Sequence, residues 1–132
     1  MGEQATATFV QKSWEENPYD RKEGESTLTR ASVTASYHGD IEGEGTLEYL
    51  MAYPSNEYAS FTGFQRVVGR IGDKSGSFVL RTNGTFENGE AKESWSVVPG
   101  SGTEDLRGLR GEGSLVRLDD TRASITLDYD LE

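Results

Sequence analysis

YASFTGFQRVVGRIGDKSGSFVLRTNGTFENGEAKESWSVVP, residues 58–99, decides the fold. Its anchor is Asn88-Gly89, because Asn and Gly both tolerate the positive φ of a type I′ turn and such a pair between strand-like runs marks a hairpin. That turn sets Phe86 opposite Ala91, Gly84 opposite Glu93, Thr82 opposite Trp95 and Leu80 opposite Val97. A second turn at Asp73-Lys74 sets Gly69 against Phe78, Val67 against Leu80, Gln65 against Thr82 and Gly63 against Gly84. One face of the ribbon is then apolar, with Phe61, Val67, Ile71, Phe78, Leu80, Phe86, Trp95 and Val97. The other carries Arg66, Arg70, Arg81, Asn83, Lys92 and several serines, so the first face looks inward. Gln65 and Glu93 share that inward face.

Working outward, residues 5–14 alternate as a strand, and 15–26 form an acidic aperiodic loop that suits a flap over a barrel mouth. Residues 28–37 and 41–53 are strands joined at Gly39-Asp40, which sets Tyr37 against Glu42, Ala35 against Glu44, Val33 against Thr46 and Ala31 against Glu48. A turn at 54–57 places Leu50 opposite Phe61, Glu48 opposite Gly63, Thr46 opposite Gln65 and Glu44 opposite Val67. On these registers Glu44 and Glu48 face inward. After Pro99-Gly100-Ser101-Gly102, Thr103 is placed to cap a single helical turn, and strands follow at 109–118 and 123–131 with a turn at Asp119-Asp120-Thr121. Eight antiparallel strands with inward glycines, almost no helix and no domain boundary predict one domain over 1–132, an all-β closed barrel.

The 132 residues carry 13 Lys and Arg against 23 Asp and Glu, a net charge of −10 that disfavours nucleic acid and anionic membranes. There is no Cys, hence no disulfide or thiolate chemistry, and no apolar run of transmembrane length. A cytoplasmic protein is the expectation. One His and dispersed acids specify no metal site, and Gly100-Ser101-Gly102-Thr103 lacks the Lys of a phosphate cradle.

The segments Tyr49-Leu50-Met51-Ala52-Tyr53 and Gly76-Ser77-Phe78-Val79-Leu80, and above all the block from Trp95 to Gly113, resemble a bacterial family of unknown function. Its members are similar in fold to allene oxide cyclase, an eight-stranded barrel shared with plant dirigent proteins. The resemblance spans 5–132 and implies that barrel with an interior ligand site, without carrying over any catalytic position. In the family pattern the position of Gln65 is commonly an acid, so the amide here changes the interior charge.

The inward polar set is Tyr37, Glu44, Glu48, Gln65, Thr82 and Glu93. A carboxyl facing a small barrel interior loses hydration, which raises its pKa toward the range of general acid or base work. The expectation is a cavity for a small, largely apolar molecule. Glu44 or Glu48 would be the acid or base, Tyr37, Gln65, Thr82 and Glu93 the polar contacts, and Phe61, Phe78 and Trp95 the walls. Any reaction would be a cofactor-free proton transfer or isomerisation. The alternative is a non-catalytic module with a packed barrel, working through an outer patch of Tyr49, Tyr53, Phe64, Val68, Val79 and Val98 that would also serve a homo-oligomer.

Overall fold

The computed structural model describes residues 2–88, 90–119 and 121–131. Its strands are β1 (Glu3–Asp20), β2 (Thr27–Gly39), β3 (Ile41–Ser55), β4 (Tyr58–Ile71), β5 (Lys74–Glu87), β6 (Glu90–Val97), β7 (Arg110–Arg117) and β8 (Arg122–Asp130). They pair in sequence order, and β1 pairs back onto β8 from Glu3↔Tyr129 to Val10↔Arg122, closing the barrel. Closure pairs the first strand with the last, so neither is an open edge over those residues, and alternation along the strands fills most of the inside with apolar side chains. Small inward residues make room for large ones. The missing Cβ of Gly45 is where the Tyr37 ring lies, since a Cβ there would sit 2.8 Å from ring carbon Cε2. Gly84 admits Phe61 in the same way, at 2.9 Å from Cε2.

The β5–β6 hairpin has the expected register, with Phe86↔Ala91, Gly84↔Glu93, Thr82↔Trp95 and Leu80↔Val97. Asn88 has φ 52, the conformation its turn requires, while Gly89 lies outside the described residues. The β4–β5 turn is Gly72-Asp73 rather than Asp73-Lys74, so Gly69 faces Gly76, Val67 faces Phe78, Gln65 faces Leu80 and Gly63 faces Thr82. Because the slip is two residues, every side chain keeps its face.

On β3 the slip is one residue, and the faces exchange. Tyr37 pairs with Gly43, Ala35 with Gly45, Val33 with Leu47 and Ala31 with Tyr49; across β4, Leu47 pairs with Gln65 and Gly45 with Val67. Leu47, Tyr49 and Met51 therefore point inward and are buried. Glu44 and Glu48 point outward, with side chains 62% and 43% exposed, which corrects their expected place in the interior. The β2–β3 loop has tertiary partners that a local turn rule does not include: the Asp40 N–H donates to the Thr6 carbonyl and its carbonyl accepts from Gly72 N. At the other end of β3, an irregularity between Ala52 and Ser55 shifts the register around Pro54.

Residues 15–20 are strand rather than loop. A bulge between Gln11 and Ser13 shifts β1 by one residue, so that Trp14 pairs with Val33 and Glu16 with Ala31, both inward positions. Between β6 and β7 a 3-10 turn, Glu104–Leu106, closes one end of the barrel with Leu106 and Leu109, which are fully buried in the core. Thr103 does not cap that turn. Its hydroxyl accepts from Ser77 N at 2.9 Å instead, tying the crossover to β5. At the opposite end, Asp119 Oδ1 accepts from the N–H groups of Thr121 (3.0 Å) and Arg122 (2.9 Å); Asp120 lies outside the described residues.

Candidate functional site

Midway along the barrel, three buried side chains form a chain of hydrogen bonds. The Tyr37 hydroxyl donates to Gln65 Oε1, and Gln65 Nε2 donates to Thr82 Oγ1 at 3.1 Å. Burial, then the negative charges of Glu93 and Glu44, hold the Tyr37 phenol above its ordinary pKa, so it stays a neutral donor. Tyr37, Gln65 and Thr82 were expected as ligand contacts, but they satisfy one another and lie in the packed middle layer. Phe78 is likewise core, paired at Val67 toward the closed end.

Beyond this layer, toward the Asn56, Asn88 and Asp119 turns, the barrel opens into a cavity of about 770 Å³. Its inner wall is aromatic. The Trp14 and Tyr49 rings lie 6.1 Å apart at 35°, and Tyr49 meets Phe61 edge-on at 5.3 Å. Met51, Val33 and Leu115 add aliphatic surface. Glu93 stands at this wall, because β6 alternation puts it on the same face as Trp95, whose indole Nε1 donates to Glu93 Oε2 at 2.5 Å. Burial pushes the Glu93 carboxyl up to about 7; the Trp95 donor, the Arg117 charge and the Tyr49 hydroxyl pull the other way and are outweighed. Tyr49 itself is held well above the ordinary phenol value, by burial first and then by Glu93, and remains protonated.

A second carboxylate stands at the rim. Glu16 accepts from Tyr53 hydroxyl (2.5 Å), Thr29 hydroxyl (2.6 Å) and Trp14 Nε1 (3.0 Å), tying the overhanging end of β1 to β2 and β3. Tyr53→Phe removes one of these charge-assisted bonds and is expected to cost about 1 kcal/mol. Limited proteolysis is expected to cut residues 15–20 faster in that variant; an unchanged cutting rate would show that the overhang is held by other contacts.

Of the residues expected at the site, Glu93, Phe61 and Trp95 come together here. Glu44 and Glu48 do not: Lys12 Nζ lies 2.5 Å from Glu44, and Arg30 Nε 2.9 Å from Glu48, all on the outer surface. A hydrogen bond from Ser32, then Arg30, holds Glu48 below the usual carboxylate range. Tyr49 and Tyr53, expected on an outer patch, line the cavity instead. Phe64 and Val68 do lie outside and exposed. Tyr49 and Met51 were readable from the Leu47-x-Tyr49-x-Met51 alternation. Trp14 and Glu16 depend on a bulge that no local signal marks.

No curated protein matches the chain. A solved structure, a protein of unknown function from Shewanella oneidensis MR-1, superposes with a TM-score of 0.81 at 24% identity, covering 100% of this chain and 99% of that one. It has the same fold. Residues 5–129 match the family described as "Protein of unknown function (DUF3224)", and with a match over nearly its whole length the chain belongs to that family.

Proposed function

We propose that the protein binds a small, largely apolar molecule in the open end of the barrel, with Glu93 in the acid or base role. The observation that supports this reading is a desolvated carboxyl with a pKa near 7 on an aromatic cavity wall. Near neutral pH both of its protonation states are populated, so it can take a proton from a bound molecule and return it without a cofactor. Tyr49, kept protonated beside it, is a donor for a polar atom of the same molecule. A fully packed barrel working only through its surface is disfavoured by the cavity, although Phe64 and Val68 leave an outer patch to control for.

Trp14 lines the cavity and Trp95 touches Glu93, and they are the only two tryptophans, so intrinsic fluorescence reports on this space. Across a panel of small hydrophobic carbonyl compounds and amines, saturable quenching is expected. Glu93→Gln should change the best affinity about tenfold, or about 1.4 kcal/mol, and the outer Phe64→Ser should leave it unchanged. Binding that responds to Phe64→Ser and ignores Glu93→Gln would move the function to the surface.

A further inference from the structure

The charges around the cavity are lopsided. Among the described residues its lining carries four carboxyl groups, Glu16, Glu90, Glu93 and Asp119, against two cations, Lys92 and Arg117. The whole chain adds a net charge of −10. A low-dielectric cleft lined mostly by one sign concentrates ligands of the opposite sign. The remaining wall, Trp14, Tyr49 and Phe61, offers π faces to a cation, and these attract ammonium groups most strongly where water is excluded.

We propose that the cavity takes a small lipophilic amine in its ammonium form, with the cation on the Glu93 carboxylate and the apolar body along Trp14, Tyr49 and Phe61. This rests on the cavity reading above and adds the ligand class. Glu93 has acceptor capacity for it, since a carboxylate offers about four lone-pair positions and Trp95 and Tyr49 engage only part of them. An ammonium adds to the counter-charge of Arg117, which burial outweighs. A neutral ketone would instead need Glu93 protonated, as a donor. An anionic ligand would meet the acidic rim.

The two neutral-versus-cationic cases move protons in opposite directions. Among the described residues, the charged and titratable groups that line the cavity with Glu93 are Glu16 on β1, Tyr49 and Tyr53 on β3, Tyr58 on β4, Glu90 and Lys92 on β6, Arg117 on β7 and Asp119 just beyond it; Tyr19 on β1 shares a second groove with Glu93, and the buried Tyr37 on β2 feels its charge. At pH 6.5 Glu93 is mostly protonated. An ammonium arriving there expels the Glu93 proton; a ketone draws protons in.

The experiment is isothermal titration of the intact protein at pH 6.5 with 2-phenylethylamine, 2-phenylethanol and 4-phenyl-2-butanone, each in two buffers of different ionisation enthalpy. The expected result is that the amine binds at least tenfold tighter than the alcohol and releases protons, and that Glu93→Gln abolishes the release. Tighter binding of the ketone with proton uptake would overturn the amine assignment and leave the cavity reading standing. Absence of binding by all three would overturn both. Because the sign of proton exchange is read on the unaltered protein, the outcome does not depend on how the variant folds.

Discussion

Gln65→Leu is expected to destabilise the barrel by roughly 2–4 kcal/mol, the sum of stranding two buried hydroxyls at about 1–3 kcal/mol each with partial relaxation. The side chain is 1% exposed and nearly isosteric with Leu, so lost packing contributes little. What is lost is the acceptor for Tyr37 and the donor to Thr82. Among the described residues no buried side-chain nitrogen or oxygen lacks a partner, so the interior has no spare group to take over. Urea denaturation is the measurement. The triple variant Tyr37→Phe/Gln65→Leu/Thr82→Val, which removes every member together, should recover at least half of the loss, because deleting both partners of a hydrogen bond is far less costly than deleting one. A Gln65→Leu protein as stable as its parent would show that the hydrogen-bonded chain contributes nothing net.

That layer was legible in the sequence because parity survives an error of two. The β4–β5 turn lies one position from where Asp73-Lys74 put it, yet Gln65, Thr82, Phe78, Phe61, Trp95 and Glu93 all face as the alternation requires. On β3 two turn rules failed by one residue each, and together they sent Glu44 and Glu48 inside on paper. The strand held the evidence against this. Its odd positions are Ile41, Leu47, Tyr49, Met51 and Tyr53, and its even ones include Glu42, Glu44, Thr46 and Glu48. Burying the first set stabilises by about 1.5–3 kcal/mol for each large side chain, whereas burying the second strips water from carboxylates. Turn preferences are worth far less, so the alternation should decide register wherever the two disagree. The rim was less accessible. Trp14 and Glu16 reach the cavity through a one-residue bulge in β1, and the Asp40 loop is held by Thr6 and Gly72, contacts distant in sequence. The candidate site was thus half visible: its carboxyl on β6 is among the inward residues, but Glu44 and Glu48 of β3, the residues expected to act as acid or base, lie outside.

Glu93→Gln is expected to stabilise the protein at alkaline pH and to do little in mild acid. The folded carboxyl titrates at about 7 against an ordinary value of 4.5, so between those values the folded state binds the proton more tightly than the unfolded one. The stability this represents is fully present below about pH 4.5 and is lost as pH rises through about 7. At about 1.4 kcal/mol per pH unit the difference comes to about 3 kcal/mol, and because Glu93 is only half-buried as a residue, mouth water tempers it to about 2–3 kcal/mol. Gln keeps an oxygen for the Trp95 indole and has no charge to bury, so its stability should be flat across the same range. Denaturation midpoints at pH 4 and pH 8.5 are the measurement: the variant should match the parent within about 0.5 kcal/mol at the first and exceed it by the full 2–3 at the second. An equal difference at both would mean that the substitution acts through shape rather than charge. An ionised group that lowers stability at neutral pH is one the fold alone does not require. A bound cation is what would offset that cost, so raising 2-phenylethylamine at pH 8.5 should narrow the gap between parent and variant.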